Sequence, residues 1–220
     1  MAANSTQKSI AIIVPPKAQS LDVSGPLDAF LDANRHSSGG ALYEVRLIAI
    51  GAGRTIKVGG MSAVADCSIS DHVGPIDTML VAGTPDYAAA STSTDLHTWL
   101  RRLAPRTRRY GSVCTGAFFL GPAGLFEGLN ATTHRQHTAE LAELFPTAQV
   151  VPDQIYVQDG ALYTSAGVTA GIDLALKLIE DDNDRDLALT IARRLVAFLK
   201  RPGGQSQFSA HPAAENRRRG

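Results

Sequence analysis

Tyr110-Gly111-Ser112-Val113-Cys114-Thr115-Gly116-Ala117-Phe118-Phe119-Leu120 changes character at its midpoint. An apolar strand, Arg109 to Val113, runs into Cys114, and the apolar residues that follow predict a helix over Thr115 to Phe126. Ser112 and Gly116 are the small neighbours that a sharp strand-to-helix turn requires. Their spacing about the cysteine is that of a nucleophile elbow, with Ser in the first Gly position. Such a turn sets a thiol at a helix N-terminus. Backbone N–H groups and the helix dipole there favour thiolate and predict a lowered cysteine pKa. A free cysteine is more often an inert core residue; here the elbow spacing favours a functional pocket.

The strand-then-helix unit recurs outward from this point. Ser9 to Val14 is a short Ile- and Val-rich run, as in a parallel-sheet strand buried on both faces. Ser24-Gly25-Pro26 reads as a helix start, with Leu27, Phe30 and Leu31 on its apolar face. Tyr43 to Ile50 is a second strand, Thr55 to Ala65 forms short strand pieces around Gly59-Gly60, and Asp77 to Val81 is another buried strand. Thr94 to Leu103 is helical, Ala131 to Thr133 a short strand and Thr138 to Leu144 a helix. Gln154 to Gln158 and Ala161 to Ser165 flank Asp159-Gly160, a hairpin signal. Helices over Val168 to Ile179 and Asp184 to Lys200 close the pattern, the last with Leu187, Ile191 and Leu195 as a core-facing stripe. The alternation predicts one α/β domain, residues 8–200, with a mostly parallel sheet covered on both faces. Residues 201–220 are Gly-, Ser-, Gln- and Arg-rich and read as a linker or disordered tail.

Composition narrows the function classes. The chain has 220 residues with 21 basic and 21 acidic side chains, so no whole-molecule field points to nucleic acid or membrane. The apolar runs are far short of a bilayer span. Met1 to Gln7 is polar and carries no signal core, which predicts a cytoplasmic protein. Cys67 and Cys114 are too few for a disulfide framework and fit a reducing compartment as free thiols. Arg101, Arg102, Arg106, Arg108 and Arg109 read as a solvated basic face. Neither a metal nor a cofactor is expected.

In a parallel sheet the strand C-termini share one edge, where ligand crevices form. Asp22, just after the first strand, Cys114, and His134, at the end of Ala131 to Thr133, all fall on that edge. Alone, Asp22 is equally a helix-capping carboxylate and His134 a solvated loop histidine. Gly83 and Thr84 offer backbone N–H groups that, with the amide of Thr115, are candidates for an oxyanion hole. Cys67 has no comparable setting and reads as structural.

Four blocks now stand in order: Leu21-Asp22-Val23-Ser24-Gly25-Pro26, Ser112 to Gly116, Ala131-Thr132-Thr133-His134, and Ser165 to Asp173. Together they resemble the signature blocks of the PfpI-like, class I glutamine-amidotransferase-like superfamily; isonitrile hydratases carry very similar ones. The resemblance implies a flavodoxin-like three-layer sandwich and a homodimer. It also implies a pocket formed by Asp22, Cys114 and His134. The stretch Ala192 to Ser209 is similar to the junction in AraC-type regulators with a PfpI-like N-terminal domain, where a pair of helix-turn-helix motifs follows. On that resemblance the chain is a ligand-sensing and dimerisation domain for an unknown small-molecule effector. DNA would be read only through a domain absent from this chain. The other reading is a cysteine-dependent hydratase or hydrolase, with Cys114 as nucleophile and Asp22 as general acid or base. One departure bears on it: glutamine amidotransferases place a glutamate two residues after the triad histidine, and here Gln136 follows His134.

Overall fold

A buried parallel strand must satisfy two cores at once, and the first strand shows how. Ile10 enters the core on one face of the sheet and Ala11 and Ile13 the core on the other. The computed structural model describes residues 7–208, apart from 52, 200 and 202. β1 (Lys8–Val14) leads to α1 (Ser20–His36), β2 (Tyr43–Ala49), the hairpin of β3 (Thr55–Val58) and β4 (Met61–Val64), and β5 (Cys67–Ser68). β6 (Thr78–Val81) is followed by α2 (Tyr87–Ala90) and α3 (Thr94–Leu103), and β7 (Arg109–Val113) by the cysteine turn and α4 (Ala117–Leu120). Then come β8 (Asn130–Ala131), α5 (Thr138–Leu144), β9 (Gln149–Val150), β10 (Tyr156–Asp159), β11 (Leu162–Ser165), α6 (Ala170–Asp182) and α7 (Arg185–Arg194).

Seven strands form the central sheet in the order β10-β11-β7-β6-β1-β2-β5. All neighbours are parallel except β10 and β11, the hairpin closed by Gly160 in the left-handed region. One face is covered by α1, α6 and α7, around Ile10, Phe30, Leu80, Leu174, Leu178 and Ile191. The other carries α3, α4 and α5, around Ile13, Met79, Leu96, Leu100, Phe119 and Leu141. This is the expected three-layer α/β sandwich with a mostly parallel sheet. Strand order reverses direction at β1, so the C-terminal ends of β1 and β6 flank a switch point where α/β sheets form ligand crevices.

Several boundaries differ from expectation. α1 begins at Ser20, so Pro26 lies inside it. A proline there costs an amide donor; Ser24, two residues earlier, donates its Oγ to the Ser20 carbonyl at 2.9 Å. The helix after Cys114 is a 3-10 turn and a single α-turn ending at Leu120. Gly121 keeps helical backbone (φ −56°, ψ −56°), but Pro122 has no amide to continue the helical ladder, and Gly124 turns the chain with φ 73°. α7 stops at Arg194, with Val196 at φ 52°. The Ala197 amide reaches back to the Ala192 carbonyl at 2.8 Å and that of Val196 to Arg193 at 3.2 Å, a Schellman closure made without glycine. In the expected stripe only Ile191 is fully buried; Leu187 and Leu195 are half-buried.

The expected solvated basic face is exposed at Arg101, Arg102, Arg106 and Arg108, and is corrected at Arg109. Arg109 is buried and meets Asp182 at 2.6 Å, and Arg108 bridges Asp77 at 2.6 Å and Asp182 at 2.7 Å. These pairs tie the start of β7 to the end of α6. Packing does not stop at residue 200. Arg201 pairs with Asp173 at 2.8 Å, and Gln205 is 5% exposed. The part of the expected tail from residue 209 lies outside the described residues. Among the described residues no helix is long and apolar enough to cross a membrane.

Candidate functional site

The C-terminal ends of β1, β6, β7 and β11, adjacent at the centre of the sheet, converge on Cys114. The elbow geometry is present: Cys114 has φ 57°, and the turn that follows starts at once. An L-residue in that region is strained by about 1–2 kcal/mol, so the surroundings must hold it. Thr133 Oγ1 donates to the Cys114 carbonyl at 2.9 Å. Gly167 lies so close that a Cβ there would overlap the Cys114 side chain. Beyond it, Val168 is itself at φ 53°.

Asp22 is fully buried in the first turn of α1, yet it does not cap its own helix. Its Oδ2 accepts from the Gly83 amide at 3.2 Å and its Oδ1 from the Val168 amide at 2.6 Å. It also shares a hydrogen bond with the Cys114 thiol. One carboxylate thus links the ends of three strands. Burial pushes its carboxyl up to about 6, against the pull of those hydrogen bonds.

The lowered cysteine pKa expected at a helix N-terminus is reversed. Burial, and then the charge of Asp22, push the Cys114 thiol up to about 12; the Thr115 amide pulls the other way and is outweighed. The physical reason is local. One turn of α-helix has little dipole to offer, while Cys114 is only 8% exposed and lies beside a carboxylate. The expected oxyanion donors are engaged as well. Gly83 N–H serves Asp22, and Thr84 N–H donates to Thr115 Oγ1 at 2.9 Å while that hydroxyl donates back to the Thr84 carbonyl at 2.8 Å. These groups brace the site.

His134 is brought to the rim of the same cavity, about 260 Å³ in volume, together with Cys114, Thr84 and Thr115. Its Nδ1 accepts weakly from the Gln136 amide at 3.4 Å. Burial, His137 and Arg135 lower its pKa and keep it neutral. A second histidine was missed from sequence. His137 also lines the cavity; its Nδ1 lies 3.3 Å from Glu140 Oε2 and 3.1 Å from the Tyr87 hydroxyl, which donates to Glu140 at 2.5 Å. The three-residue spacing of His137 and Glu140 was a legible sign, but Tyr87 comes from α2, far away in the chain.

Cys67 lies apart on the edge strand, half-buried, its thiol pushed up by burial and by Asp66. A larger cavity of about 550 Å³ opens beside Trp99 and Arg102, and none of the candidate residues reaches it. Among the described residues no cluster of three or more His, Cys, Asp or Glu is placed to hold a metal ion.

Comparison with known proteins converges on the same architecture. Residues 8–181 match the DJ-1/PfpI family. Isonitrile hydratase from Pseudomonas putida is 30% identical over 78% of this chain and 71% of its own. The HTH-type transcriptional regulator GbdR from Pseudomonas aeruginosa is 25% identical over 88% of this chain and 52% of its own, so the chain spans about half of that regulator's length. The crystal structure of an AraC family transcriptional regulator from Pseudomonas putida superposes with a TM-score of 0.73 at 20% identity, over 86% of this chain and 99% of that one. This last likeness is one of fold.

Proposed function

The chain belongs to the DJ-1/PfpI family, and from that membership we propose that it is the ligand-sensing and dimerisation domain of an AraC-type transcriptional regulator. DNA recognition is assigned to a further helix-turn-helix domain, and the protein to the cytoplasm. The observation that carries the reading is the setting of Cys114, which is only 8% exposed and has the Asp22 carboxylate hydrogen-bonded to its thiol. A nucleophilic cysteine needs an ionised sulfur and a base oriented by a third group. Here Asp22 and burial hold the thiol neutral. His134 leans on the Gln136 amide, and Glu140 is engaged by Tyr87 and His137. What remains is a small cavity walled by strained, tightly braced backbone at Cys114 and Val168, suited to binding. The 25% identity to a regulator extends over 88% of the chain, in keeping with this reading.

The homodimer belongs to the same proposal, because paired DNA half-sites match a two-fold protein. Met61 and Val64 expose their apolar side chains on the β3–β4 hairpin, which the Gly59 amide ties to the Ala18 carbonyl at 2.7 Å. They are the candidate dimer contacts.

One observation favours the second reading, an enzyme resembling isonitrile hydratase. A buried carboxyl at about 6 beside a thiol exchanges protons near neutral pH, as a general acid or base must. The two are separated by offering candidate small molecules, isonitriles included, and following both melting temperature and products by mass spectrometry. Sensing predicts a saturable rise in Tm with the compound recovered unchanged. Turnover that vanishes in Cys114→Ser would establish the enzyme.

A further inference from the structure

The Cys114 cavity has a neighbour. A second cavity of about 210 Å³ shares His134 and Val168 with it and is walled on its far side by Arg201 and Gln205. We propose that the two are chambers of one ligand pocket, and that Arg201, Gln205 and Ser206 form a latch whose docking is coupled to what occupies the chamber at Cys114. This rests on the reading of the Cys114 cavity as a ligand site. The two volumes together fall within the range of small-molecule pockets, roughly 300–1,000 Å³.

The latch is held by polar contacts at both ends. Arg201 Nε donates to Asp173 Oδ1 at 2.8 Å, and Asp173 is itself buried on α6. The Gln205 side-chain amide donates to the Gln154 carbonyl at 2.8 Å, and to Thr132 Oγ1 and the Thr133 carbonyl at 3.2 Å each. Its backbone amide reaches the Asp153 carbonyl at 2.8 Å, and the Ser206 amide the Asp153 carboxylate at 2.7 Å. Hydrogen bonds of this kind open locally at less cost than a packed core, so docked and released states are both accessible.

The route to the pocket is short. Thr133, whose carbonyl accepts from Gln205, donates its own hydroxyl to the Cys114 carbonyl. His134, the next residue, lines both chambers, as does Val168, whose amide holds Asp22. A ligand that shifts this wall acts directly on the acceptors that hold Gln205. Coupling of this sort requires a two-state element that both sites bias; here it is the segment itself. In a sensor domain such a latch would turn occupancy into a change in the chain that follows the pocket.

The test uses iodoacetamide as the probe. Its alkylation of Cys114 displaces iodide, forms a thioether and releases the thiol proton to buffer, leaving a small group in the inner chamber. Amide hydrogen exchange at Gln205 and Ser206 is then compared before and after alkylation. Acceleration of roughly fivefold or more is expected, the lower end of ordinary allosteric coupling. Conversely, Gln205→Ala should change the Cys114 alkylation rate severalfold and leave that of Cys67 unchanged. Arg201→Gln releases the latch from its other end without touching the Thr132–Thr133 acceptors, and should act in the same direction. Alkylation of Cys114 with unchanged exchange, and variants with unchanged rates, would overturn the latch alone. Failure of Cys114 to react in the folded protein even above pH 9, where the denatured chain reacts, would overturn the cavity reading and the latch with it.

Discussion

Replacing Asp22 by Asn removes the buried carboxylate beneath Cys114 and changes how stability depends on pH. The Asp22 carboxyl titrates at about 6 in the folded protein against an ordinary 3.8. Between those values the folded state holds a proton that the unfolded chain has released. Its contribution to stability is therefore fully present below about pH 4 and is lost as pH rises through 6. A shift of roughly two units is worth about 3 kcal/mol. Asn has nothing to titrate, so the stability of Asp22→Asn relative to wild type should rise by about 3 kcal/mol from pH 4 to pH 7. The amide also alters the contacts to Gly83 and Val168, but that offset is the same at every pH and cancels from the trend. Urea unfolding of both proteins at half-unit pH steps measures it. A stability difference that stays flat across the window would refute the buried, protonatable carboxylate.

Other outcomes follow from the same geometry. Alkylation of Cys114 should accelerate with pH beyond 9 without levelling off, because its thiol lies near 12; a plateau below about 8.5 would restore the thiolate reading. Ile191→Ala, fully buried in α7, should cost about 2–5 kcal/mol in chemical denaturation, and Leu195→Ala, half-buried at the helix end, clearly less; equal costs would misplace the helix. Met61→Asp should lower the dimer fraction in sedimentation at micromolar concentration, and a wild-type protein that is monomeric there would count against the proposed interface.

What was legible in the sequence was what neighbours in the chain determine. The elbow at Cys114 needed only small residues two places away. The Thr94–Leu103 helix carried its period; its Ser93 cap, whose Oγ accepts from the Leu96 amide, is seen in the structure. Asp159-Gly160 announced its hairpin. What escaped depends on partners far along the chain or on unusual local solutions. Asp22 looks like a helix cap until its acceptor contacts prove to be Gly83 and Val168. Arg109 looks exposed until Asp182 is brought beside it. Val196 ends α7 in a conformation usually left to glycine, so no stop signal marked it. The Cys114 thiol is raised rather than lowered because burial and the Asp22 charge act on it, and neither is visible from its neighbours in the chain; the apolar run continues to Phe126, but only one turn of it is α-helical.

A sensing domain of this kind must bind small molecules at Cys114. The decisive measurement is a melting-shift screen in which every stabilising compound is then tested for protection of Cys114 against iodoacetamide, read as adduct mass by peptide mapping, with Cys67 as internal control. Compounds that raise Tm should slow alkylation of Cys114 in proportion to their occupancy and leave Cys67 unaffected. Stabilising compounds that leave the Cys114 rate unchanged would place the ligand site elsewhere, at the larger cavity beside Trp99 for instance, and would contradict the central claim.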